Sequence, residues 1–192
     1  MSGHGFHVHG PHDHELEHAA QHEPKGMAGQ LAVITAILAT IGALFSYMGG
    51  ATQAAAGLYK NDAAIKKTEA SNQWNYYQAK SSKQNLAELA AVLVTSDEKR
   101  AKYAEEIDRY KKEKNEIKEK AEALEKESAE FDHQSAEQMH LHHRWAQATT
   151  ALQISIALAA IALLTKKRWM EFATLAVGGV GVVLGALTWL HL

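Results

Sequence analysis

The chain has no cysteine, which excludes disulfide and thiolate chemistry and leaves the redox compartment open. Its two prolines, Pro11 and Pro24, both precede residue 25, so the remainder is free of the strongest helix breaker and an all-α fold is expected. Charge is missing from three long stretches, Gly26 to Tyr59, Trp145 to Thr165 and Phe172 to Leu190. No Asp, Glu, Lys or Arg stands at the centre of any of them, and intramembrane ionisable residues are the usual mark of proton relays and ion-coupled transporters. An active transporter is therefore disfavoured. A net charge of −2 gives no broad attraction for nucleic acid. No phosphate-binding loop, nucleophile elbow or HExxH motif is present. The expectation is a non-enzyme with no identifiable small-molecule substrate.

What is present is apolar sequence in blocks. A charge-free apolar run of roughly 20 residues is long enough to cross a bilayer core as a helix. Three such runs between very polar segments predict a polytopic membrane protein in contact with membrane lipid. The expected organisation is a histidine-rich tail (1–25), a first transmembrane helix (26–50), a helical hairpin outside the bilayer (51–145), a second transmembrane helix (146–165) and a third (170–191). The first apolar run exceeds a usual signal-peptide core and is preceded only by Lys25, so it reads as an uncleaved span.

The hairpin follows from two helical patterns of nearly equal length, about 51–94 and about 96–144. In the second, Tyr103, Ile107, Tyr110, Lys114, Ile117, Ala121, Leu124, Ser128 and Phe131 step alternately by four and three, the heptad spacing of a coiled coil. In the first, Tyr76, Ala79, Lys83, Leu86, Ala90 and Leu93 also step by three and four. Thr95 and Glu98 read as a capping box that starts the second arm, and Gly49-Gly50 reads as a hinge before the first. Equal arms are what an antiparallel hairpin needs to leave the membrane and return to it. Lys114 and Ser128 at core positions weaken a plain dimeric zipper and point to a specified register or stoichiometry.

Small residues on the apolar runs, including Gly181 and Gly185 in a GxxxG pattern, provide faces for close helix contact. Lys166, Lys167 and Arg168 form a short basic loop, which places that loop and the amino terminus in the cytoplasm and the hairpin in the periplasm of a bacterial inner membrane. Lys60, Lys66 and Lys67 argue the opposite way, but they belong to a long loop that the charge rule constrains less.

Two histidine clusters have ligand spacing. His14, His18 and His22 recur every four residues and share one face if that segment is helical, and His140 and His143 stand three apart. Neutral imidazole suits zinc, copper or nickel. The alternatives are a flexible, pH-responsive tail and an interfacial belt beside Arg144 and Trp145. The segment Ala70–Lys80 contains Trp74, Tyr76 and Tyr77 among amides, either as a docking patch or, as favoured, as aromatic packing within the hairpin or an oligomer.

The segments SNQWNYYQAK (71–80), YKKEKNEIKEKAEALEKES (110–128) and LQISIALAAIALLTKKRW (152–169), with the histidines around 140 to 143, resemble a family of small bacterial membrane proteins catalogued as a domain of unknown function. The resemblance implies three spans with a long helical insertion after the first, and it implies no reaction, ligand or catalytic residue. The functional expectation is an oligomeric, non-enzymatic membrane scaffold. The alternative is a channel or a metal- or pH-responsive membrane protein that uses the histidine tail.

Overall fold

A computed structural model describes residues 26–190. The tail 1–25, with His14, His18 and His22, and the expected end of the third span at His191 lie outside the described residues. Three helices make up the described chain: α1 (Met27–Leu93), α2 (Asp97–Thr165) and α3 (Arg168–Trp189). Among the described residues there is no strand. Each helix contains a stretch long and apolar enough to cross a membrane.

Helix α1 continues for 67 residues, and Gly49 and Gly50 lie inside it, so the expected hinge is ordinary helix. Neither glycine has a positive φ, and the alanines that follow carry the helix onward. The break comes at residues 94–96. Ser96 rather than Thr95 caps α2, its Oγ accepting from the Lys99 N–H at 3.5 Å. Asp97 and Glu98 in the first turn suit the positive end of the helix dipole. Arg100 secures the corner by donating to Asp97 Oδ1 at 2.9 Å and to the Val94 carbonyl at 3.2 Å. At the other end of α2, Lys166 has φ 54°, a left-handed residue that closes the helix before α3 begins.

The chain divides into two compact units, one of residues up to Gln53 together with those from Met139 onward, the other Ala54–Gln138. In the second, the hairpin unit, every position of the expected second-arm stripe from Tyr103 to Phe131 is buried or half-buried. The first arm turns a different stripe inward: Ala56, Ala63, Ala70, Tyr77, Gln84 and Ala91, with Tyr59, Lys66, Gln73, Lys80, Ala87 and Val94 between them. This lies one residue beyond the spacing read through Tyr76 and Leu86, which stay 53% and 66% exposed. The reason is steric. Alanines at 56, 63 and 70 let the backbones approach until Ser135 Oγ donates to the Ala56 carbonyl and Ser128 Oγ to the Ala63 carbonyl, each at 2.9 Å. Ala70 and Ala121 are buried to 1% and 0% exposure in the same two columns. These two bonds run antiparallel, seven residues apart on both arms, and set the register.

The apolar unit uses the same device with glycine. Its core contains Leu31, Ala159, Ala162 and Met170. The inward residues of α3 are Met170, Thr174, Gly178, Gly181, Gly185 and Thr188. Ser155 Oγ donates to the Thr174 carbonyl at 2.6 Å, joining α2 to α3. A Cβ at Gly178 would lie 2.9 Å from Ser155 Oγ, one at Gly181 would lie 3.1 Å from the Leu152 backbone nitrogen, and one at Gly185 would enter the Phe45 ring. A Cβ at Gly179 would meet nothing within 4 Å.

Two stability results are expected. Ser128→Ala removes a buried hydrogen bond and costs about 1 kcal/mol. Ser128→Leu, which would improve a plain apolar seam, instead overfills the space against Ala63 and costs about 1–3 kcal/mol. Chemical unfolding followed by circular dichroism ranks them, and a Leu variant more stable than Ala would refute the close approach. In the apolar unit, Gly181→Leu meets backbone that cannot move aside and costs about 1–3 kcal/mol, whereas Gly179→Leu leaves the thermal midpoint in detergent unchanged or raised.

Candidate functional site

Trp74, Tyr76, Tyr77, Tyr110 and Lys114, all singled out in the sequence, come together in the middle of the hairpin unit as a polar aromatic cluster. Trp74 Nε1 donates to Glu125 Oε1 at 3.3 Å, and its ring meets Tyr77 edge-on at 5.6 Å. Tyr77 lies in the inward stripe, and the Lys114 ammonium stands 5.0 Å from its ring centre while donating to Gln84 Oε1 at 3.1 Å. Lys114, an awkward residue for an apolar seam, is thus held by an aromatic face and an amide. Lys80 pairs with Glu113 and lies 5.2 Å from the Tyr76 ring and 5.7 Å from the Tyr110 ring. Tyr76 itself faces outward. Further along, Tyr59 and Phe131 stack at 6.4 Å. Ile117 and Leu124 are buried, and Tyr103 and Ile107 are half-buried toward the turn.

Electrostatics across the arms have one sense. Lys60 pairs with Asp132, Lys66 with Glu127 at 2.9 Å, Lys67 with Glu125 at 3.5 Å, and Lys80 with Glu113. In each pair the first arm supplies the cation and the second the carboxylate. A hydrogen bond from Lys80 holds the Glu113 carboxyl below its ordinary range, and the same bond holds the Lys80 ammonium above its own. A hydrogen bond from Lys66 to Glu127 raises Lys66 likewise.

The described histidines lie along α2. His140 and His143 are both exposed on α2. Among the described residues no three His, Asp or Glu side chains are grouped to hold a metal ion. His142, between them, has a structural partner: its Nδ1 lies 2.8 Å from the Gly49 carbonyl. A carbonyl only accepts, so the Nδ1 carries the proton. Beside it Trp145 is buried against Phe45 at 5.2 Å and meets Trp189 edge-on at 6.3 Å, and a Cβ at Gly49 would come 3.3 Å from Trp145 Cβ. Gly181 and Gly185 are occupied within the chain, against Leu152 and Phe45.

Sequence reasoning missed three of these features: the alanine column of the first arm, Ser135 on the Ala56 carbonyl one heptad beyond Ser128, and His142 on Gly49. A signal for the first two exists, since Ala56, Ala63 and Ala70 and also Ser128 and Ser135 recur at intervals of seven. Nothing around the described cluster supplies a nucleophile with its base or a convergent ligand set. Its chemistry is that of helix pairing.

A pH response follows from the Lys80–Glu113 pair. Glu113 has a lowered folded-state pKa, so its contribution is present above the ordinary carboxylate range and is lost as pH falls through the folded value. Lys80 has a raised value, so its contribution is complete below the ordinary ammonium range and is lost as pH rises through the folded value. Hairpin stability measured by circular dichroism should decline at both extremes, and the acid decline should be shallower in Glu113→Gln.

No curated protein and no solved structure matches the chain. Residues 27–191 match a family described as a domain of unknown function, and the chain belongs to that family, DUF4337.

Proposed function

We propose that the chain is a non-enzymatic, multi-pass membrane protein that associates with its own copies to form a scaffold. The apolar unit sits in a bacterial inner membrane, the amino terminus is cytoplasmic and the hairpin is periplasmic. One observation carries this reading: the apolar unit leaves many large apolar side chains exposed while burying hydroxyls between its helices. Val33, Leu44, Leu164 and Phe172 are 60%, 60%, 80% and 70% exposed, whereas Ser155, Thr174 and Thr188 are 0%, 0% and 2% exposed. In water, each exposed apolar Å² forgoes about 25 cal/mol of burial free energy. In hydrocarbon that penalty disappears, and helices are joined instead by small-residue contacts and buried hydrogen bonds.

The outward hydroxyls are compatible with the same solvent. Thr40 and Thr150 are exposed, yet each returns its hydroxyl to a carbonyl of its own helix, Ala36 at 2.9 Å and Ala146 at 2.8 Å. This satisfies polar groups where no water is available. The basic link Lys166–Arg168 supports the cytoplasmic assignment of its end of the unit. Self-association is supported by the absence of any reaction chemistry in the polar cluster and by the long helical surfaces that remain uncovered in one copy.

Fractionation and labelling test the reading. The full chain should stay in the membrane pellet through alkaline carbonate extraction. A Ser96→Cys variant should react with an impermeant maleimide added from the periplasmic side. Light scattering in mild detergent should return a multiple of 21.0 kDa. Release by carbonate would overturn membrane insertion, and a monodisperse monomer would overturn the scaffold.

A further inference from the structure

Helix α2 carries an amide deep inside its apolar stretch. Gln153 stands eight residues from Trp145 and twelve from Thr165, about 12 Å and about 18 Å along the axis. That is close to the middle of a hydrocarbon layer about 30 Å thick. The side chain is exposed, and its amide has no hydrogen-bond partner among the described residues. The exposed hydroxyls of Thr40 and Thr150 return to carbonyls of their own helices, but this amide does not. It stands two methylenes from the backbone, too short an arm to reach either surface of the layer. Gln30 and Gln147, by contrast, lie within about one turn of the ends of their apolar stretches. An amide held in hydrocarbon without a hydrogen bond is costly, because nothing there replaces the water it has lost.

The residues around Gln153 leave room for a close neighbour. Ala146, Thr150, Gln153, Ala157, Ala160 and Leu164 step by four, three, four, three and four, which aligns them along one side of α2. The opposite side carries Trp145, Leu152, Ser155 and Ala159, all buried within the unit. The row through Gln153 therefore lies on the side away from α1 and α3. Five of its members are exposed and Ala160 is half-buried. Four of them are Ala or Thr, so another helix can approach until its side chains reach the amide. The outward side of α3, with Phe172, Leu175, Val180 and Val183, is apolar, and acyl chains satisfy it. We propose that the row through Gln153 is a contact between two copies of the chain within the membrane, α2 against α2, with the two Gln153 amides bonded to each other. The inference rests on the membrane and oligomeric readings above and names the surface and the bond that join the copies.

The occupant follows from hydrogen-bonding chemistry. An amide donates through its nitrogen and accepts through its oxygen, so two of them satisfy each other. Acyl chains offer neither group. In a two-fold pair the same patch meets itself, and copies inserted in one orientation place Gln153 at the same depth. A partner of different sequence would need its own donor and acceptor at that depth, which a second copy has by construction. No Lys, Arg, His, Asp or Glu stands between Ala146 and Leu164, so like copies meet there without repulsion. The alternating spacing also suits the shallow crossing of parallel helices.

The native lack of cysteine makes the contact testable in the full chain. In membrane vesicles oxidised with copper phenanthroline, Ala157→Cys should form a disulfide-linked dimer. Ala176→Cys, exposed on α3, should not. Gln153→Met removes the amide and keeps a side chain of similar length. It should retain helical circular dichroism, because the position is exposed. It should weaken association about three- to thirty-fold, read by energy transfer between labelled copies as they are diluted with lipid. Release of the wild-type chain by carbonate, or a monodisperse monomer in mild detergent, would overturn the readings beneath this proposal and the proposal with them. An oligomer in which Ala157→Cys cross-links no more than Ala176→Cys would overturn this surface and leave the oligomer standing. Association unchanged by Gln153→Met would overturn the amide bond and the proposal. Cross-linking of Ala157→Cys only to other proteins would assign the row to a different partner and overturn the proposal as well.

Discussion

Close approach of helix backbones at small residues is the constraint on which both units depend. In the hairpin unit the gap between arms is set by Ala56, Ala63 and Ala70 opposite Ser135, Ser128 and Ala121, because a serine hydroxyl reaches a helix carbonyl only across a narrow gap. In the apolar unit the corresponding positions are Gly178, Gly181 and Gly185 of α3, with Ser155 bonded to the Thr174 carbonyl. A carbonyl already used within its helix retains a second lone pair, so these bonds add to the helix ladder without breaking it. Small residues at the contacts leave several large ones outward, Val33, Leu44, Leu164 and Phe172 in the apolar unit and Leu58, Leu86 and Leu93 in the hairpin unit.

That inversion has a different solution in each unit. In the apolar unit the outward sides are largely apolar, and the exposed hydroxyls of Thr40 and Thr150 bond to carbonyls of their own helices, which suits hydrocarbon. In the hairpin unit, the second arm is charged on its outward side and the first arm carries Asn61, Thr68, Asn75 and Ser82 on its own, polar surfaces that water can solvate. One packing principle thus supports two destinations, separated by which residues flank it.

The sequence made the second-arm stripe legible because large side chains, Tyr103 to Phe131, mark the packed face in the usual way. It made the break at residues 94–96 legible through its cap chemistry, with the cap itself one residue later, at Ser96. The first arm was misread by one residue for a definite reason. Periodicity searches weight large apolar residues, and here Leu86 and Leu93 belong to the exposed face while Ala87 and Ala91 belong to the packed one. Both stripes have heptad spacing, so spacing alone cannot rank them. Gly49 was misread as a hinge because glycine has two uses, and here it provides room for Trp145 and His142 rather than freedom of φ. His140 and His143 stood out by their spacing, yet it is His142 between them that meets another helix, through a carbonyl acceptor that has no mark in sequence.

The cross-arm ion pairs bear on how copies can meet. Lys60, Lys66, Lys67 and Lys80 all come from the first arm, and Asp132, Glu127, Glu125 and Glu113 all come from the second. Ion pairs of this kind contribute little stability individually. Their sense matters more than their strength. Two first arms packed through their inward stripes would set Lys66 and Lys80 against like charge, and they would leave Ser128 and Ser135 without their carbonyls. The inward stripe is therefore committed to the chain's own second arm, and pairing between copies through it is opposed by charge and by unmet hydrogen bonds.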